Sequence, residues 1–347
     1  MTKSLLLILV LLLAACSPSA SPGAEGGASA WPPESLPPGL GRGLEGRLLL
    51  ASQAPEGGRL VEIELSSGAV RTLFQAPPGS WLGAARVSPD GSQILLAYAP
   101  PLEEGALQFG YTDLYRMPYA GSQEPQPFLL RQSDGESLFQ PVWAPDGQSV
   151  YYAHLYRTGE GGVNPGYQND IERADLSGET RTLLQHAIWP ALSPDGSKLA
   201  YLTAEPGSQD NFLYIAGQDG SSPAPVINSA NPAPVDDHFF SADGERLIFS
   251  MVNPAASAGS AWWERLLGIG VALAHNVPSD WYSAPASGGE PERLTRLDEI
   301  GLAGDLSPDG AHAAFLSGSG LAILETGSGE VFPVLEGARV GTVDWIP

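Results

Sequence analysis

Asp236-Asp237-His238 is the densest run of titratable side chains in the chain. Two carboxylates beside an imidazole can bind a cation or move a proton during a reaction. In a solvated loop just ahead of a strand, the same three residues would do neither. The other histidines, His154, His186, His275 and His312, are scattered, and no H-E-x-x-H pair is present to set a zinc ion on one helix face. No G-x-S-x-G nucleophile elbow occurs. Cys16 is the sole cysteine, which excludes an intrachain disulfide and any multi-cysteine metal site. Asp-Gly recurs in five aligned repeat segments, but no D-x-D-x-D-G loop encloses any of these pairs. Their aspartates therefore read as caps of their own turns. Residue chemistry alone points to no catalytic group, no metal and no cofactor.

The elements that carry these residues follow from the Asp-Gly pairs themselves. Five segments align without gaps: VSPDGSQILLAY from Val87, WAPDGQSVYYAH from Trp143, LSPDGSKLAYLT from Leu192, FSADGERLIFSM from Phe240 and LSPDGAHAAFLS from Leu306. The pairs are Asp90-Gly91, Asp146-Gly147, Asp195-Gly196, Asp243-Gly244 and Asp309-Gly310. Asp-Gly between β-rich runs signals a tight hairpin, because glycine accepts the positive φ that the turn needs. A second strand–turn–strand unit occurs six times, starting near Arg59, Thr112, Asn169, Asn211, Asp280 and Gly320. The repeat interval of roughly fifty residues suits a four-stranded unit. Val343-Asp344-Trp345-Ile346-Pro347 matches Pro141-Val142-Trp143-Ala144-Pro145 and supplies the missing first strand. The expectation is an all-β, six-bladed β-propeller of four-stranded blades over residues 45–347, closed three-plus-one by the C-terminal strand. Such closure removes free sheet edges. Trp143, Trp189 and Trp345 are expected to pack between blades.

The amino-terminal end is an address. Lys3 precedes an apolar run from Leu5 to Ala14, too short to span a bilayer. Leu13-Ala14-Ala15-Cys16 resembles the lipobox of bacterial lipoproteins, which implies a signal peptide over 1–15 and a lipid on Cys16. Residues 16–44 are rich in Ser, Pro, Gly and Ala and are expected to form a flexible tether. The expected location is the cell envelope, lipid-anchored and extracytoplasmic, facing the periplasm or the cell surface.

The S-P-D-G repeat resembles the WD40-like (PD40) propeller repeat of the TolB C-terminal domain and of related periplasmic propellers. The resemblance covers about residues 45–347. It departs from TolB in leaving only low-complexity sequence where TolB carries an α/β domain, and in Ser241-Ala242-Asp243-Gly244, which lacks the proline. It implies an interaction module. With 39 Asp+Glu against 17 Lys+Arg, a net charge of −22 excludes nucleic-acid binding through a basic footprint.

A four-stranded blade places its a–b and c–d turns on one face and its b–c and d–a connections on the other. The b–c connections are long in three blades, about 99–111, 157–168 and 253–279, so insertions gather on one face, where function concentrates. Candidate binding residues there are Phe109, Tyr111, Tyr156, Arg157, Tyr167, Trp262 and Trp263, with Asp236, Asp237 and His238. The stretch 261–275, AWWERLLGIGVALAH, either caps the channel or docks a partner. The expected function is a non-catalytic, lipid-anchored scaffold with a monomeric head that binds an envelope protein through this face. A glycan- or peptide-binding module at the channel mouth is the alternative, and a propeller lyase or hydrolase using Asp236, Asp237 and His238 is a third.

Overall fold

A computed structural model describes residues 35–36, 43–53, 57–101, 110–121, 123–159, 166–203, 211–227, 233–252, 278–337 and 341–346. Blade 1 contains β1 (Arg47–Ser52), β2 (Arg59–Glu64) and β3 (Val70–Gln75). Blade 2 contains β4 (Trp81–Val87), β5 (Gln93–Ala99), β6 (Asp113–Pro118) and β7 (Gln126–Leu129). Blade 3 contains β8 (Ser137–Trp143), β9 (Ser149–Thr158), β10 (Gly166–Asp175) and β11 (Thr180–Gln185). Blade 4 contains β12 (Ala187–Leu192), β13 (Lys198–Thr203), β14 (Leu213–Gly217) and β15 (Ala224–Pro225). Blade 5 contains β16 (Val235–Phe240), β17 (Arg246–Val252), β18 (Ser279–Pro285) and β19 (Glu292–Arg293). Blade 6 contains β20 (Ala303–Leu306), β21 (His312–Ser317), β22 (Gly320–Glu325) and β23 (Val331–Glu336). The last strand, β24 (Gly341–Ile346), pairs antiparallel with β1, from Arg47↔Ile346 to Ser52↔Gly341. Each blade is thus a four-stranded antiparallel sheet, and no helix occurs among the described residues.

The five Asp-Gly turns show why the repeat recurs. The glycines hold φ between 67° and 73°. In four of the turns a serine hydroxyl donates to the aspartate at 2.6 Å, as Ser88 does to Asp90. The same serine oxygen accepts the backbone N–H five residues on, as from Gln93 at 3.0 Å. These bonds hold the carboxyls of Asp90 and Asp195 at about 2. In the fifth turn Ala144 stands in the serine position, and Asp146 accepts from Gln148 N at 2.9 Å.

The hydrophobic cores lie between blades. Leu95, Ala97 and Leu114 of blade 2 meet Leu138, Val150 and Tyr152 of blade 3, while Trp281 of blade 5 meets Phe315 of blade 6. The expected tryptophans sit at these seams. Trp143 Nε1 donates across to Arg86 O at 3.2 Å, and the Trp345 ring stacks on His312. Residue Leu36 corrects the tether boundary drawn at 44. It is 5% exposed, and its N–H donates to Gly68 O at 2.8 Å. Burying an isolated leucine against the β2–β3 turn offsets the cost of ordering it.

The first strand of each blade has one edge with no strand beside it, so its backbone N–H groups need other acceptors. Side chains of the preceding blade supply them. Asp344 accepts from Val87 N (2.8 Å), Gln140 from Trp189 N (2.8 Å), Asp237 from Gly304 N (2.6 Å) and Asp305 from Trp345 N (2.8 Å). Gln53 does the same for Leu82 N at 3.0 Å. Asp237 and Asp344 are buried, and Asp305 is half-buried. Burial pushes Asp344 up, Asp305 adds to the shift, and the Arg86 guanidinium, 3.9 Å away, opposes it.

Asp237 is pushed up to about 7, chiefly by burial, with the Gly304 N–H and Arg86 opposing. The folded state then holds this proton up to about pH 7, whereas an unfolded aspartate releases it near pH ~4. Between those values the native state binds more protons, so this group's contribution to stability falls as pH rises. Asp237→Asn keeps an oxygen for Gly304 N–H without the buried charge. It is expected to raise the melting temperature by about 2–6 °C at pH ~8 and to change it little at pH ~4.5. Thermal unfolding of both proteins at the two pH values checks this.

Candidate functional site

The b–c connection of blade 3 was expected as a loop over 157–168. Instead β9 runs on to Thr158 and β10 resumes at Gly166, in register from Gly166↔Thr158 to Asp175↔Ser149. β8 starts pairing only at Ser137↔Leu155, and β11 ends at Gln185↔Asp170. The tip of the hairpin therefore leaves the sheet as a two-stranded ribbon. Aromatic residues on both strands, Tyr151, Tyr152 and Tyr156 on β9 and Tyr167 on β10, favour such a paired ribbon.

The ribbon gathers several of the candidate residues. Tyr167 is 41% exposed and pairs across the ribbon with Arg157, whose Nε donates to its hydroxyl at 3.3 Å. Tyr111, 39% exposed, and Asp134 lie close enough to act on the Arg157 charge. Arg157 crosses Gly135, where an added Cβ would stand 2.6 Å from Nε. Tyr156 faces the other way and donates to Asp170 at 2.8 Å. Asp170 also accepts from Gln168 Nε2 (2.9 Å) and His186 N (3.2 Å). Asp113 and Asp280 play the same part in blades 2 and 5, taking the N–H of Arg131 (2.7 Å) and Leu297 (2.6 Å). All three are buried clamps on the d–a connections.

At the root of the ribbon lies a group that sequence reading missed. His154 Nδ1 is 3.1 Å from Glu172 Oε1, and its Nε2 is 3.7 Å from Glu136 Oε2. Tyr152 donates to Glu172 at 2.7 Å. Burial disfavours the imidazolium, but the bonds and charges of Glu172 and Glu136 outweigh it and raise the pKa.

Asp236, Asp237 and His238 are elsewhere. They stand inside β16, at 1%, 6% and 3% exposure, and not in a solvated loop. The strand bulges at Asp236, so that Val235 pairs with Met251 and Asp237 with Ser250. Asp237 reaches toward blade 6 through Gly304. His238 lies toward Ala200 of blade 4, and neither ring nitrogen has a hydrogen-bond partner among the described residues. Burial depresses its pKa to about 4. Asp236 accepts from Ser279 Oγ at 3.3 Å and is pushed up to about 7 by burial, with Asp237 adding to the shift. Alternation along the strand thus separates the three groups. Among the described residues no three His, Cys, Asp or Glu side chains converge to hold a metal ion.

No protein-family model matches the sequence, and no curated protein does. Solved structures match the fold. TolB from Acinetobacter baumannii superposes with a TM-score of 0.59 at 17% identity, over 87% of this chain and 67% of that one. The fold is a TolB-like six-bladed propeller. An oligogalacturonate lyase in complex with manganese matches at 0.54 and 16% identity, over 86% of this chain and 75% of that one. A puromycin hydrolase matches at 0.54 and 19%, over 83% of this chain and 45% of that one. One scaffold carries all of these, so identity at this level conveys architecture and no activity.

On this TolB-like propeller the candidate residues divide by exposure. Tyr111, Arg157 and Tyr167 form a solvent-facing group with Tyr156 beneath, while the β16 triplet belongs to the core. Cys16, Phe109, Trp262, Trp263 and the whole 261–275 stretch lie outside the described residues. Asp170→Ala, which strands three donors in a buried place, is expected to destabilise by about 2–4 kcal/mol. Tyr167→Ala is expected to shift the melting temperature by no more than about 1 °C. Denaturant and thermal unfolding of the two variants would show the contrast.

Proposed function

We propose that this chain is a lipid-anchored, extracytoplasmic propeller that acts as a non-catalytic scaffold, holding an envelope protein against the loop face of blades 2 and 3. The observation that carries the reading is the gathering of Tyr111, Arg157 and Tyr167 on one projecting ribbon and its neighbouring connection. Tyrosine and arginine contribute large contact area with a polar end, and they dominate the energetics of protein interfaces. A ribbon on a rigid sheet presents them at little ordering cost. The acid–imidazole triplet that would favour an enzyme is spread over the seams of blade 5 and packed away from solvent. Lipidation of Cys16 supplies the anchor in this reading, and residues 17–34 supply reach. Exposed tyrosine rings beside an arginine also suit a sugar, which is the second reading.

A photo-reactive phenylalanine at Tyr167 in the intact lipidated protein, irradiated in its own envelope, is expected to give a discrete protein adduct. Arg157→Ala should cut its yield about tenfold, a loss of one interface anchor. The same probe at Gln148, on an Asp-Gly turn of the opposite face, should give none. Equal adducts from both faces, or none from Tyr167, would overturn the scaffold reading. Arg157-dependent retention on a glycan array would then favour the sugar. Cys16→Ala should release the protein from the membrane fraction.

A further inference from the structure

One imidazole set between two carboxylates stands where the ribbon leaves the sheet. Glu172 belongs to β10, and its oxygens also accept from Tyr152 (2.7 Å) and Thr182 (3.4 Å). Glu136 ends the connection between blades 2 and 3. It accepts from Gln132 N at 2.8 Å and Ser133 Oγ at 2.7 Å, so it carries the turn of that connection. The same turn contains Asp134 and Gly135, the residues over which Arg157 lies. His154 on β9 therefore links the turn beneath Arg157 to the ribbon that bears Arg157 and Tyr167. Its Nε2 is buried and has no hydrogen bond among the described residues, standing 3.7 Å from Glu136.

We propose that His154 is a proton-operated clasp: as imidazolium it bridges Glu172 and Glu136 and holds the ribbon against the 130–136 connection, and as neutral imidazole it lets the ribbon loosen. The inference rests on the reading of this ribbon as the docking surface and adds a control to it. An imidazolium carries a proton on both nitrogens, so Nδ1 donates to Glu172 and the positive Nε2–H attracts the Glu136 carboxylate 3.7 Å away. A neutral ring has one N–H. If Nδ1 keeps it for Glu172, the Nε2 lone pair faces the Glu136 carboxylate and the attraction becomes repulsion.

The groups facing the ring set the direction of the switch. Glu172 and Asp170 face it from β10, Glu136 from the connection, and Tyr152 and Tyr156 from β9 itself. Arg131, the nearby cation on that connection, is committed to Asp113 at 3.0 Å. The His154 pKa is raised against burial by Glu172 and Glu136, so its stabilisation is full below the ordinary histidine value of about 6.5. That stabilisation is lost as pH rises through the raised value. Despite burial, hydrogen bonds hold the carboxyls of Glu172 and Glu136 below their usual range, so they stay charged throughout mild acid. The clasp is closed from mild acid up to the His154 titration and open above it.

Hydrogen exchange of the full-length lipidated protein in detergent, read by mass spectrometry, tests this without any ligand. Exchange at the imidazole C2 position gives the His154 titration, and amide exchange gives protection of 155–158 and 166–169. The titration is expected above pH ~6.5, and ribbon protection, corrected for intrinsic rates, should fall at least about fivefold from pH ~6 to pH ~8.5. Strands β21 and β22 should show no such fall. His154→Gln should flatten the ribbon's pH dependence. Should that variant misfold, Glu136→Gln keeps an oxygen for the Gln132 N–H, turns its amide NH2 as a donor to Ser133 Oγ, removes one charge, and should weaken the dependence and lower the titration.

A titration at or below pH ~6.5, or equal ribbon protection at both pH values, would overturn the clasp. The Tyr167 photo-adduct separates this from the docking reading. Switching protection with no adduct at either pH keeps the clasp and removes the docking surface. Adducts with pH-independent protection remove the clasp alone.

Discussion

Backbone N–H groups on the free edge of each blade's first strand are the constraint around which this molecule is arranged. A sheet that ends at a central axis leaves those donors with no strand to pair with, and burying them unpaired would cost roughly a hydrogen bond each. The chain answers with a side-chain acceptor from the neighbouring blade: Gln53, Gln140, Asp237, Asp305 and Asp344. Each such bond joins two blades, so satisfying the backbone and holding the ring together are one event. β24 shows this most fully. Its Asp344 accepts from blade 2, and its Trp345 N–H donates to blade 6. The strand from the far end of the chain is thereby bound on both sides as well as to β1.

Using carboxylates for this task has a cost that amides avoid. A carboxylate buried near another is driven toward its protonated form, as Asp237 and Asp344 are. Arg86 sits among them, with Nε 3.9 Å from Asp344 Oδ1 and NH1 donating to Val343 O at 3.1 Å. One guanidinium thus moderates two acids, Asp237 and Asp344, and takes up a carbonyl of the seam strand. That network is a property of ring geometry. The chain positions involved, 86, 237, 305 and 344, have no local relation to one another.

This explains what was legible in the sequence. Asp-Gly turns are local: Asp, Gly and a preceding Ser or Ala within a few residues determine the hairpin, so five copies and six companion hairpins could be counted and the blades numbered. Non-local relations were hidden. Asp236-Asp237-His238 looks like one site because the residues are adjacent, yet adjacent side chains on a strand point to opposite faces, here to different blades. Conversely, Glu136, His154 and Glu172 look unrelated, although β8, β9 and β10 lie side by side and bring them together. A register drawn from the repeat alignment pairs Tyr152 with Glu172 and His154 with Asp170, which is the signal that would have exposed the cluster. The ribbon was misread as a loop for a related reason. Its length exceeds that of its flanking strands, and nothing local tells a long hairpin from two short strands joined by an insertion.

The two faces of the propeller therefore obey different rules. On the Asp-Gly face each turn is closed by its own aspartate, and four of the five also by a serine, so the face is repetitive and its polar groups are consumed locally. On the opposite face the third strand enters its sheet under buried clamps, Asp113, Asp170 and Asp280, each holding the connection to the next blade. These clamps hold the roots of the connections. Whatever extends beyond a root is then free to vary in length and chemistry without disturbing the ring. In blade 3 the extension is a ribbon whose aromatic and guanidinium groups stand outside the last satisfied carboxylate. Specialisation follows from that division: the clamps at the roots of the connections make their bonds without Tyr167 or Arg157, so those two side chains are set by the ribbon itself.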